Sequence, residues 1–161
     1  MNLKLYEINP EYIMYLSAYA PHLFLNKQQG QKNERKFIGI ILEVNGFQYF
    51  APLSSFREKH KKMKDGIDFI KIKDYAVINI NNMFPVPTGE YNYVDISIEK
   101  DLQYKALLQA EYRIIKVQQK RIIKNAEIVY KHKILKSNQT LLAKRCNDFC
   151  ELEKACENYQ K

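Results

Sequence analysis

Arg35-Lys-Phe-Ile-Gly-Ile-Ile-Leu-Glu-Val-Asn-Gly-Phe-Gln-Tyr-Phe-Ala-Pro-Leu-Ser-Ser-Phe-Arg-Glu-Lys-His60 is the segment that decides the fold. Apolar residues alternate from Phe37 to Leu42 and again from Phe47 to Leu53, with Asn45-Gly46 between them. The tightest hairpin turn needs positive φ at both central residues, which Asn and Gly tolerate, so the stretch predicts two antiparallel strands. Pro52 has no N–H to donate and is expected near the end of the ladder. Ser54 and Ser55 are then expected to leave the sheet where a basic run begins with Arg57, Lys59, His60, Lys61, Lys62 and Lys64.

On the N-terminal side, Leu3 to Ile8 alternates as a short strand. Asn9-Pro10 supplies a helix cap followed by proline at the first helical position, where its missing N–H costs nothing. Tyr12, Tyr15, Leu16 and Tyr19 share one face of that helix by their spacing, and Pro21 is expected to close it. Residues 26–34 form a polar loop into the hairpin. On the C-terminal side, Phe69 to Ile72, Tyr75 to Ile80 and Val94 to Ile98 are predicted strands. A long helix is predicted from about Leu102 to Ile134, with Leu102, Ala106, Ala110, Ile114 and Val117 as its apolar stripe. Arg113, Lys116, Lys120, Arg121 and Lys124 lie on the other face. Asn147 is the expected cap of a last helix carrying Phe149, Leu152, Cys156 and Tyr159. Strands first, with helices at both ends, predict the α+β class.

At 161 residues the chain is long enough for one unstapled core, and residues 1–161 are expected to form a single domain. It carries 26 Lys+Arg against 18 Asp+Glu, a formal charge of +8. The surplus is concentrated: residues 57–64 hold five Lys/Arg against one Glu, and residues 113–136 hold eight against one. Such fields favour encounter with polyanions. A solvated helix face is the plain alternative for the second cluster. No apolar run is long enough to span a bilayer, and Met-Asn-Leu-Lys-Leu-Tyr-Glu-Ile lacks a signal-peptide core, so a cytoplasmic protein without a membrane partner is expected. Cys146, Cys150 and Cys156 lack a fourth ligand at zinc-site spacing and are expected to be reduced thiols, with no metal and no cofactor.

The hairpin also carries a resemblance. Phe37-Ile38-Gly39-Ile40, Leu42-Glu43, Gly46, Tyr49, Ala51-Pro52-Leu53-Ser54-Ser55 and Lys59-His60 resemble the ToxN/AbiQ family of type III toxin–antitoxin toxins, and are most similar to its CptN-like branch. The likeness reaches back to Tyr6, Tyr12 and Tyr15-Leu16, and forward to Ile78-Asn79-Ile80-Asn81-Asn82-Met83 with Pro85-Val86. It covers roughly the first 95 residues in register; beyond them only the long basic helix and the short terminal helix correspond. The resemblance implies a compact, strongly bent antiparallel sheet like that of the Kid/MazF toxins, with added helices. It implies an endoribonuclease toxin acting on cellular RNA, a role in aborting phage infection, and inhibition by a small structured RNA made of tandem repeats. In the implied closed protein–RNA assembly each toxin contacts two RNA units. No DNA partner is expected.

Ser55 matches the serine on which activity depends in the family, and Ser54 the hydroxyl residue before it. Arg57 and Arg35 stand where relatives carry lysines. Both keep the cation, and a guanidinium is a better phosphate clamp than proton donor. His60 is a candidate general acid near neutral pH. Tyr12 is a weaker catalytic candidate and Tyr6 a candidate for RNA contact, while Tyr15 is expected to pack. Lys36, Lys59, Lys61, Lys62, Lys64 and the helix cations are expected RNA contacts. Turn capping is the plain reading of Ser54-Ser55, and core packing that of helically spaced tyrosines. With no carboxylate cluster beside the motif, the expected chemistry is metal-free attack of a ribose 2′-hydroxyl on its own phosphate, leaving a 2′,3′-cyclic phosphate and a 5′-hydroxyl. A noncatalytic RNA- or DNA-binding module would need only the same charge pattern.

Overall fold

The computed structural model describes residues 2–20, 23 and 33–159. Pro21 and residues 26–32 of the expected loop lie outside the described residues. The strands are β1 (Lys4–Ile8), β2 (Lys36–Val44), β3 (Phe47–Ser55), β4 (Phe69–Ile72), β5 (Ala76–Asn79), β6 (Phe84–Pro85) and β7 (Tyr91–Tyr93). They form one open antiparallel sheet in the order β4-β5-β3-β2-β1-β7, with β6 also pairing β3. The helices are α1 (Pro10–Leu16), α2 (Leu102–Lys136), α3 (Leu141–Arg145) and α4 (Phe149–Glu157).

The hairpin forms as expected. Asn45 and Gly46 take φ of 52° and 81°, the two positive values that a tight turn between right-twisted strands requires. Pairing is regular at both ends and irregular between Ile38 and Leu42. Gly39 sits in that irregularity because a Cβ there would lie 2.3 Å from the Phe50 ring. Pro52 lies inside β3 rather than at its end. It falls in the gap between the β6 rungs at Tyr49 and Phe50 and the β5 rungs that begin at Leu53, so its missing N–H interrupts no ladder on that side. Ser54 and Ser55 stay in the sheet as the last rungs of β3, opposite Val77 and Ala76.

Alternation sends side chains to two cores. Leu5, Ile38, Ala51 and Ile78 join Leu108, Ile115, Ile122, Ala126 and Val129 of α2 on one face. Ile8, Phe37, Phe50 and Phe84 join Tyr12, Ile13 and Leu16 of α1 and Leu152 and Ala155 of α4 on the other. Helices therefore cover both sheet faces. The Tyr49 and Tyr130 hydroxyls both donate to Glu153 Oε2, at 2.6 and 2.8 Å, which ties β3, α2 and α4 together.

Three further expectations change. The stripe of α2 that meets the sheet runs through Leu108, Ile115, Ile122 and Val129, whereas Leu102 and Val117 are 77% and 83% exposed. The helix carries apolar residues at several phases, and only the sheet beneath it selects one. Ile96–Ile98 is a 3-10 turn capped by the Asp95 carboxylate, and the edge strand is Tyr91–Tyr93 instead. Asp148, not Asn147, caps α4 through a bond from Glu151 N; Asn147 is buried and donates to the Met83 carbonyl.

Candidate active site

Where β3 ends, its last two residues meet the segment entering β2 and the first turns of α2. Asn33, Glu34, Arg35, Lys36, Leu53, Ser54, Ser55, Ala76, Tyr104, Leu107, Leu108 and Glu111 line a cleft of about 310 Å³ there. Antiparallel pairing of Lys36 with Leu53 puts Arg35 beside Ser54. Its Nη1 donates to Ser54 Oγ at 2.9 Å, and Asn79 Nδ2 on β5 donates to the same oxygen at 3.3 Å. Two donors thus hold a half-buried hydroxyl, while Ser55 next to it is exposed.

Arg35 is buried, and its pKa is lowered first by that burial and then by the Arg57 charge. The Arg57 charge therefore reaches Arg35, although Arg57 is exposed and is not among the residues that line the cleft. An anion bound at Arg35 relieves that repulsion. Lys36 Nζ is buried against the wall, 2.9 Å from Glu7 Oε2 and over the Tyr104 ring at 5.4 Å. Burial alone would lower its pKa; the bond to Glu7 and the Tyr104 neighbour outweigh burial and raise it. Its charge is committed within the wall.

His60 closes a 3-10 turn over Glu58–Lys61 and is buried. Its Nδ1 accepts from Arg57 N at 2.7 Å, and its ring sits near Phe56 and Phe69, with centroids at 5.5 and 5.7 Å. Desolvation, with the charges of Lys59, Arg57 and Lys71, lowers its pKa. The imidazole is thus neutral at physiological pH, and it fixes the turn that carries Arg57. Lys59, Lys61, Lys62 and Lys64 are exposed, with Lys61 paired to Glu58 at 3.1 Å.

Other expected residues lie elsewhere. Tyr12 is fully buried in the second core, its hydroxyl donating to the Pro85 carbonyl and its ring 4.9 Å from that of Tyr159. Burial raises its pKa. Tyr6 is half-buried, edge-on to Phe50 and Tyr91. Tyr15 packs against Tyr159 and donates to the Ala155 carbonyl. Arg113, Lys116, Lys120 and Lys124 are exposed along α2. Arg121 is held by Asp65 of the basic loop, so it joins the two cationic segments.

Sequence reasoning missed Asn79, Tyr104 and Glu111. Glu111 is 5% exposed and burial pushes its carboxyl up to about 7. One signal was present: Tyr104, Leu108, Glu111 and Ile115 recur at helical spacing, which places a carboxylate on the stripe that faces the sheet. Among the described residues, no three His, Cys, Asp or Glu side chains are grouped to hold a metal ion, and no helix is long and apolar enough to cross a membrane.

Comparison with known proteins gives this arrangement its relatives. Residues 4–157 match the family described as Toxin ToxN, type III toxin–antitoxin system. The chain is 30% identical over 168 residues to Endoribonuclease ToxN of Bacillus thuringiensis subsp. kurstaki, an alignment covering 99% of this chain and 86% of that protein. It is 28% identical over 174 residues to Endoribonuclease AbiQ of Lactococcus lactis subsp. lactis, covering 100% and 91%. Among solved structures, it superposes with a TM-score of 0.85 and 29% identity, over 99% of this chain and 98% of the other, on a bacterial type III toxin–antitoxin structure described for selective toxin inhibition by a non-coding RNA pseudoknot. A motif in the hairpin, a match over nearly the whole length and a shared fold agree, and this chain belongs to the ToxN family of type III toxin–antitoxin systems.

Proposed function

We propose that this protein is an endoribonuclease toxin that cleaves cellular RNA and is held inactive by direct binding of a small structured antitoxin RNA. The relatives named as endoribonucleases support the activity, and the RNA-inhibited structural relative supports the partner. The observation that carries the reading to this chain is the 2.9 Å bond from Arg35 to Ser54 on the wall of an open cleft that Ser55 also lines, with the Arg57 charge near enough to act on Arg35.

The chemistry follows from what such a cleft stabilises. Attack of a ribose 2′-oxygen on phosphorus gathers negative charge on the non-bridging oxygens. Each preorganised donor aimed at that charge contributes about 3–4 kcal/mol. Arg35 and Arg57 supply the charge; Ser55, exposed at the strand end, supplies a hydroxyl that bonds the phosphate or relays a proton. Ser54 is already bonded by Arg35 and Asn79, so it orients Arg35. The reaction proceeds without metal and leaves a 2′,3′-cyclic phosphate and a 5′-hydroxyl.

The exposed cations of α2 and of the 57–64 loop extend the positive surface beyond the cleft, long enough for a structured RNA to fill the cleft and track both segments. Closed assemblies in which each toxin contacts two RNA units, a cytoplasmic setting and a part in aborting phage infection belong to the same proposal. Expression alone in a bacterial host, compared with co-expression of the repeat RNA, tests it. Growth arrest with fragmented messenger RNA is expected only in the first case. Unaltered growth and intact RNA would favour a noncatalytic RNA-binding module.

A further inference from the structure

The α2 wall of the cleft carries a group that the family motif does not include. Glu111 presents a carboxylate to the same cavity as Arg35, Ser54 and Ser55 while being buried. A buried carboxylate is normally neutralised by an ion pair. Lys36, a cation on the same lining, is instead bound to Glu7, and among the described residues no ion pair is formed by Glu111. Of the other titratable groups on this lining, Glu34 is exposed, Arg35 remains a cation, and Tyr104 has its pKa raised by burial above that of an ordinary phenol. A carboxyl held unpaired in a catalytic cleft is the environment that prepares a general base.

We propose that Glu111 is the general base of this site, resting on the endoribonuclease reading above. Its carboxylate accepts the proton of the ribose 2′-hydroxyl as O2′ bonds to phosphorus. The P–O5′ bond breaks with its electron pair going to O5′, which takes a proton from water. Glu111 then returns its proton to solvent. Burial raises its pKa to about 7, so a strong and substantially ionised base is available near neutral pH. Arg35 and Lys36, with Glu7 behind Lys36, and Tyr104 on its own helix set the field it works in.

The test is single-turnover cleavage of a mixed-sequence RNA from pH 5 to 9 by wild type, Glu111→Gln and Glu111→Asp, with affinity measured on a 2′-deoxy version of the RNA that is not cleaved. Glu111→Gln should cleave about 10²–10⁴-fold more slowly, lose the acidic limb near pH 7 and bind the deoxy probe as wild type does. It should melt no lower than wild type at pH 8, where the buried carboxylate is mostly ionised and is a burden. Glu111→Asp should keep partial activity with the limb displaced, and it decides the matter if the Gln variant does not fold. A Gln variant at wild-type rate, or either variant with the limb unmoved, overturns the assignment. Wild-type protein that cleaves no RNA would overturn the endoribonuclease reading, and this inference with it.

Discussion

Arg35 Nη1 and Ser54 Oγ are 2.9 Å apart across the β2–β3 hairpin, so the cation at one strand's start is positioned by the hydroxyl at the other strand's end. The pairing of Lys36 with Leu53 enforces this, and any slip of the register would separate the two. Arg35→Lys keeps a charge but cannot reach both a phosphate and Ser54 with a planar fork. It is expected to lower single-turnover cleavage by about 10²–10³-fold, the cost of one preorganised donor, with RNA affinity nearly unchanged.

The hairpin irregularity gives a stability prediction. Gly39→Ala places a methyl 2.3 Å from the Phe50 ring, so Phe50 must leave its rotamer in the second core. Overpacking of this kind costs about 1–3 kcal/mol. Urea denaturation should show a lower midpoint with an unchanged slope.

A second stability prediction concerns α4. Glu153→Ala removes the acceptor shared by Tyr49 and Tyr130. Leaving buried hydroxyls unpaired costs about 1–3 kcal/mol each, so the variant should melt well below wild type. Glu153→Gln retains an acceptor and should recover part of the loss.

Acid stability should report on His60. Its folded pKa lies below the ordinary value of 6.5, so the unfolded chain takes up the proton first. Stability from this group is intact above about pH 6.5 and is lost as pH falls towards the lowered folded pKa. His60→Asn should be less stable than wild type at pH 8 and show a shallower decline between pH 6.5 and 5.

RNA binding should divide along α2. Arg121 is engaged with Asp65, while Arg113, Lys116, Lys120 and Lys124 are exposed. Replacing those four by Ala is expected to weaken antitoxin RNA binding and to reduce its salt slope by roughly 0.7–0.9 for each phosphate that is no longer neutralised. An unchanged slope would show that this face is merely solvated.

The hairpin and the α1 cap were legible because each rests on neighbours in sequence, whereas Ser54 and Ser55, expected to leave the sheet, are its last rungs on β3, and the contact of Ser54 with Arg35, 19 residues away, follows from the strand register. Asn45-Gly46 needs only its own backbone, and Asn9-Pro10 only the helix it starts. The facing stripe of α2 was not legible, since Leu102, Val117 and Leu135 are as apolar as Leu108 and Ile115 and yet stand in solvent. Asn79 and Glu111 entered the site through sheet order and helix packing, which join residues far apart in the chain. His60 was readable as a histidine near the motif, but its burial between Phe56 and Phe69 was not. The helix Leu141–Arg145, capped by Thr140, was too short to leave a periodic signal.

The most direct test of the central claim compares chemistry with binding in Ser55→Ala. The change removes an exposed hydroxyl and no charge, so phosphate binding and the release of counterions should persist. Single-turnover cleavage should fall by orders of magnitude while affinity for the antitoxin RNA, measured across a salt series, stays within a few-fold of wild type. A Ser55→Ala protein that cleaves at the wild-type rate, or that no longer binds the RNA, would contradict the account.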